Sequence, residues 1–182
     1  MNYPAGYAKF LPAGSRLHFQ IHYTPNGKAT EDQVRVGLVF AKSKPANVVE
    51  VVGVANPKLR IPAGADNHPE PATIPVPEAV KLIGFMPHMH VRGKAFRYEL
   101  TLPNGDQRSL LEIPRYDFNW QLAYRYEDPP IIPAGSKIRA IGWFDNSSNN
   151  PANPDPKRVV TWGEQTTDEM MIGYVEYCRM GG

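Results

Sequence analysis

Apolar and polar residues alternate along most of this chain, and a stripe at helical spacing is almost nowhere to be found. In "RLHFQIHY" the residues Leu17, Phe19, Ile21 and Tyr23 share one face of an extended segment, while Arg16, His18, Gln20 and His22 share the other. "VRVGLVFAK" follows a Thr-Pro-Asn-Gly turn (24–27) and a short polar stretch, which predicts a hairpin with a loose loop. The same pattern predicts strands at 48–54, 80–86, 94–102, 107–113, 116–126, 137–144, 158–162 and 170–178, separated by turns such as "LPNGD" (102–106). Strands this short, punctuated by Pro, Gly and Asn, predict an all-β chain folded as an antiparallel jelly-roll sandwich.

An internal echo bears on the domains. "FLPAGSRLHFQIHY" from Phe10 and "IIPAGSKIRAIGWF" from Ile131 both run a Pro-Ala-Gly-Ser turn into a strand. Two related domains would produce this, with residues 1–44 as the last hairpin of a first jelly roll that begins upstream and 45–182 as the second. The alternatives are that 1–44 adds strands to the main sandwich, or that the turn is simply reused, as "IPAG" (61–64) suggests.

Composition narrows the function. The chain has 182 residues, 42% hydrophobic and 10% aromatic, enough for one full core. Its 19 prolines and 15 glycines agree with many turns. A net charge of +2, with Lys and Arg scattered among acids, argues against a nucleic-acid partner. The apolar runs are only a few residues long, so no membrane span is expected, and residues 1–15 lack the basic and apolar regions of an export signal. The single cysteine, Cys178, excludes an internal disulfide and any cysteine-rich metal site.

Candidate chemistry centres on "MPHMHVRGKAF". Alternate residues of a strand point the same way about 7 Å apart, close enough for His88 and His90 to converge on one ion. His18 and His22 are about 13 Å apart in an extended chain and cannot clamp an ion together. The bland reading of His-x-His is a pair of exposed or hydrogen-bonded histidines. A third ligand has to come from elsewhere, because Cys178 stands alone and His68 lies in the Pro-rich stretch "ADNHPEPAT", taken as a loop. In "TTDEMMIGYVEY" the strand 170–178 puts Met170, Ile172 and Tyr174 on one face and Met171, Gly173 and Val175 on the other. Either methionine alone is an ordinary core filler.

The blocks "HMHVRGKAF" and "DEMMIGYVEY" resemble the C-terminal domain of the copper type II, ascorbate-dependent monooxygenases, the family of peptidylglycine hydroxylating monooxygenase and dopamine β-monooxygenase. The similarity runs from about Val48 to Tyr177 and is that of a bacterial-type member. It implies two packed jelly rolls and a catalytic copper held by His88, His90 and Met170, with Tyr174 as a further catalytic-site residue. It also implies dioxygen and an ascorbate-like reductant as co-substrates, hydroxylation of a C–H bond, and a periplasmic or extracellular setting. "FQIHYTPNG" resembles the end of the family's N-terminal domain and implies His22 as a ligand of a second, electron-transfer copper. The adjacent His-His pair that would complete that second site is not in this chain. Two neutral imidazoles and a thioether suit copper in both oxidation states, whereas zinc would take a third histidine, carboxylate or thiolate.

Departures from the family bear on the substrate. Met86 stands where the peptide-processing enzyme has an arginine for the substrate carboxylate, and Ile172 stands where it has an asparagine. These imply a small or apolar substrate in place of a glycine-extended peptide. In "YDFNWQLAYRY" the residues Tyr116, Phe118, Trp120, Leu122, Tyr124 and Tyr126 form one aromatic strand face, expected to pack between sheets. "DNSSNNPANPDP" (145–156) is expected to be a solvated loop, and Arg92 and Lys94 to be surface charge. Asp168 and Glu169 either orient a histidine or face solvent. Two competing functions remain: a β-sandwich that binds a ligand through its aromatic face, and a structural copper or zinc domain without oxygen chemistry.

Overall fold

The computed structural model describes residues 3–23 and 26–180, and among these the chain forms strands and no helix. Thr24 and Pro25 of the expected Thr-Pro-Asn-Gly turn lie outside the described residues. The strands are β1 (Tyr7–Ala8), β2 (Asn47–Val48), β3 (Glu50–Ala55), β4 (Arg60–Ile61), β5 (His68–Val76), β6 (Val80–His88), β7 (Gly93–Thr101), β8 (Gln107–Ile113), β9 (Tyr124–Arg125), β10 (Ile131–Ile132), β11 (Ser136–Phe144), β12 (Val160–Thr161) and β13 (Ile172–Arg179). They fall into two compact units that divide between Val48 and Val49. No helix long and apolar enough to cross a membrane is present among the described residues.

The second unit is an antiparallel jelly-roll sandwich. One sheet has the order β10-β6-β13-β3, with β9 also paired to β6, and the other has the order β5-β11-β7-β8. The chain crosses between the two at β3 to β5, β5 to β6, β6 to β7, β8 to β9, β10 to β11 and β11 to β13, while β4 and β12 form a separate two-stranded pair. Inward side chains meet across the layers, with the Phe85 and Tyr98 rings 4.2 Å apart and Phe96 5.0 Å from Tyr98. Leu82, Met89, Leu100, Ile138, Phe144, Met171 and Val175 complete this buried core.

One irregularity decides which way the histidines face. Glu176 of β13 pairs with Gly84 while Tyr177 pairs with Leu82, so Ile83 is an extra residue in β6. Leu82 and His88 are an even number of positions apart and in a regular strand would share a face. The bulge flips the parity: Leu82, Phe85 and Met89 point into the core, leaving Met86 and His88 on the outer face.

Several expectations need correction. Residues 68–76 form a nine-residue strand, not a loop. Pro69, Pro71 and Pro75 share one parity and oppose Trp143, Ile141 and Lys137 across β11, while β5 is an edge strand with no second neighbour. An edge strand tolerates proline because a nitrogen on its unpaired side has no ladder bond to donate, so the missing N–H costs nothing. Residues 116–126 are not one strand: only Tyr124–Arg125 pairs, the rest is a loop closed by a bond from Trp120 N–H to Asp117 O, and Trp120 is 64% exposed. Segment 145–156 is a folded knot, since Asn146 is fully buried and its amide donates to Pro62 O and Arg158 O. Arg92 is wholly buried and is not surface charge.

The N-terminal unit carries the largest difference. Its described residues hold one two-residue parallel pair, Tyr7–Ala8 with Asn47–Val48, and the strands expected at 16–23 and 34–42 are absent among them. Leu17, Phe19, Ile21, Tyr23, Val34, Val36, Leu38 and Phe40 are all exposed. An alternating segment becomes a strand only where a neighbour takes its N–H and C=O groups and a facing layer takes its apolar side. The echoed turn is real at both places: Ser15 N–H bonds Pro12 O, Ser136 N–H bonds Pro133 O, and Gly14 and Gly135 have φ of 78° and 82°. Pro62–Ala65 repeats it, with Gly64 at φ 69°. This is the type II turn that Pro-Ala-Gly builds locally, and by itself it marks no duplication.

Candidate metal centre

β6 and β13 run antiparallel side by side, with Ile172 opposite His88 and Tyr174 opposite Met86. Directly opposed residues project to the same side of a sheet, so Met86, His88, Ile172 and Tyr174 share the outer face. His90 and Met170 lie just past the paired ends, each two residues beyond the His88–Ile172 pair. Burial separates the two methionines as the alternation predicts: Met171 is fully buried in the core, and Met170 is half-buried.

The two imidazoles sit close and edge to face, with ring centroids 5.2 Å apart. Each has its Nδ1 engaged. His90 Nδ1 lies 3.2 Å from Asp168 O, and a carbonyl only accepts, so Nδ1 carries the hydrogen. His88 Nδ1 lies 2.6 Å from Gln121 Oε1, and the amide orientation is set because Gln121 Nε2 donates to Phe118 O at 2.7 Å. Both rings therefore keep a lone pair on Nε2, the arrangement a pair of histidine ligands requires. The donor set fits one soft or borderline ion.

Burial also keeps His90 ready. Loss of solvent is the main cause holding its imidazolium below the ordinary histidine range; the Asp168 carbonyl acts against this and His88 reinforces it. The neutral ring is the form that ligates.

Glu169 organises the turn on which these rings sit. Its carboxylate accepts the backbone N–H of His90 at 2.8 Å through Oε2 and that of Arg92 at 2.7 Å through Oε1. Burial is the largest cause acting on this carboxyl and leaves it raised to about 7 even against the lowering effect of the two N–H donors and the Arg92 guanidinium. Arg92 Nε donates to Asn146 Oδ1 and its terminal nitrogen to Thr167 O, so one buried cation ties the histidine turn to both neighbouring loops. The two acids divide: the Glu169 carboxylate holds the His90 backbone, whereas the Asp168 carboxylate pairs with Arg158 at 2.6 Å and only its backbone carbonyl meets the His90 ring. Gly93 closes the turn where a Cβ would stand 2.7 Å from the Tyr116 ring.

Tyr174 shares the outer face, and its ring leans over Gly53 of β3. His22 belongs to the N-terminal unit and is exposed. His68 lies in β5 beside Glu70, 3.1 Å from its carboxylate. No group of three or more His, Cys, Asp or Glu side chains is placed to hold a metal among the described residues. Gln121 and Tyr116 escape a sequence reading, since a glutamine 33 positions from His88 gives no signal of contact with it.

No family model matches the chain, and no curated protein matches it. Among solved structures, the infectious bursal disease virus VP2 subviral particle is similar to it at a TM-score of 0.36 and 15% identity, over 81% of this chain and 37% of that one. The infectious bursal disease virus Gx strain gives 0.36 and 12% over 75% and 33%. The chain thus spans about a third of the length of these proteins. A likeness at this level says nothing of activity, and the architecture stands on its own strand pairing.

Proposed function

We propose that this chain carries the oxygen-activating domain of a copper-dependent monooxygenase, with copper held by His88 Nε2, His90 Nε2 and the Met170 thioether. The observation that supports this reading is the matched pair of imidazoles, each with Nδ1 facing an oxygen acceptor, 5.2 Å apart at their centroids. Met170 is proposed as the third ligand because it precedes the Ile172–His88 pair by two residues, and no cluster of three or more His, Cys, Asp or Glu side chains is placed to hold a metal among the described residues, which leaves a thioether ligand and copper as the reading.

Copper bound there supplies a one-electron redox couple and an open coordination position. The overall reaction takes a C–H bond, dioxygen, two electrons and two protons to an alcohol and water, with the electrons drawn from an ascorbate-like reductant. The chain's own residues hold the ligands: Glu169 and the Asp168 carbonyl fix His90, Gln121 fixes His88, and Met170 precedes β13 by two residues. Met86 and Ile172, beside His88, give this face an apolar character suited to a small or apolar substrate. His22 is proposed as part of a second copper site, and an N-terminal jelly roll as its setting.

Oxygen uptake tests the reading. Because two ligands of the second copper are absent from this sequence, protein loaded with one copper and given ascorbate in air is expected to consume oxygen only slowly, and that slow uptake is expected to be abolished by His88→Ala and His90→Ala. Uptake that is the same in both variants would come from loose copper and would overturn it.

A further inference from the structure

One loop touches all three residues of the His-Met-His segment. Tyr116 O–H donates to Met89 O at 2.7 Å and the same hydroxyl accepts Met89 N–H at 2.9 Å. The Phe118 ring stands edge-on to His90, 6.3 Å between centroids. Gln121 reaches His88. Within the loop, Gln121 Nε2 donates to Phe118 O and Asn119 N–H bonds Asp117 Oδ1.

We propose that Gln121 is a positioning residue that decides which nitrogen of His88 is offered to a ligand, with loop 116–121 as the clamp that keeps it in place. A neutral imidazole in water prefers the Nε2–H form, in which the lone pair sits on Nδ1. Here the acceptor at Nδ1 imposes the opposite tautomer, freeing Nε2 on the side away from the loop. The amide cannot reverse cheaply, because that would set Gln121 Oε1 against Phe118 O, two acceptors 2.7 Å apart. His90 gains the same tautomer from a backbone carbonyl, which no side-chain substitution removes. His88 depends on one side chain.

The effect on copper rests on the reading above, whereas the effect on the tautomer does not. In metal-free protein above the histidine titration range, long-range 1H–15N spectra are expected to show His88 protonated at Nδ1. Gln121→Leu moves it toward the Nε2–H form, and Gln121→Glu, which loses the bond to Phe118 O and must turn its second oxygen away from that carbonyl but keeps an acceptor for the ring, retains Nδ1–H. Gln121→Asn, too short to reach, repeats the leucine result if that variant fails to fold. Cu(I) affinity falls about 10–100-fold in the leucine variant and recovers in the glutamate variant. A folded Gln121→Leu or Gln121→Asn protein whose His88 stays Nδ1–H overturns the proposal. A shifted tautomer in a chain whose wild type takes no copper upholds the positioning role and defeats the copper reading instead.

Discussion

Two stretches of this chain carry the same alternating pattern and meet different fates. In "AFRYELT" of β7, Phe96, Tyr98 and Leu100 are 3% exposed or less; in "RLHFQIHY" the matching Leu17, Phe19, Ile21 and Tyr23 are between 46% and 65% exposed. β7 has β11 on one side, β8 on the other and Phe85 of the facing sheet above it. Residues 16–23 have no strand partner among the described residues. Alternation therefore states which face of a segment is fit for burial, and only pairing and a second layer turn that fitness into stability. Each buried aromatic of β7 contributes on the order of 1.5–3 kcal/mol that its counterpart in 16–23 does not.

The sharpest way to break the comparison is to truncate a ring on each side of it. Phe85→Ala, which empties the centre of the sandwich, is expected to cost about 3–5 kcal/mol in denaturant unfolding. Next comes the polar anchor. Glu169→Gln sets an amide N–H₂ against a backbone N–H donor, and a loss of about 1.5–3 kcal/mol is expected, with faster amide exchange at His90 or Arg92. An unchanged melting curve would mean the carboxylate does not hold the turn. At the small end, Phe19→Ala should shift stability by less than about 0.5 kcal/mol. A loss as large as that of Phe85→Ala would show that residues 16–23 are buried in solution, and the contrast between the stretches would disappear.

Much of the sandwich was legible because period two is a local signal. The strands expected at 107–113, 137–144 and 170–178 fall within two residues of β8, β11 and β13 at either end. What escaped depended on partners. β5 reads as a Pro-rich loop until its position at a sheet edge is known, and the Ile83 bulge reads as continuous strand until β13 is paired against it. The same holds for the site. His88, His90 and Met170 stand out by residue type and spacing, whereas the register of β13 against β6 fixes the face of His88 alone, with His90 and Met170 each two residues beyond the His88–Ile172 pair. Arg92, Asn146 and Gln121 did not stand out, because charge and amide groups in loops are usually solvated and only long-range contacts mark these three as anchors. The aromatic run 116–126 misled through its regularity, since only Tyr124–Arg125 finds a strand to pair with.

The central claim is that the thioether of Met170, two residues before β13, joins the imidazoles of His88 at the end of β6 and His90 two residues past it. Competition titration of Cu(I) into wild type and Met170→Ile, with Cu(II) measured alongside, tests it most directly. One equivalent of Cu(I) is expected in wild type, bound in preference to zinc, with a loss of at least about tenfold in the variant, about 1.4 kcal/mol, and a smaller change for Cu(II). Cu(I) affinity indifferent to the loss of the sulfur would contradict the account.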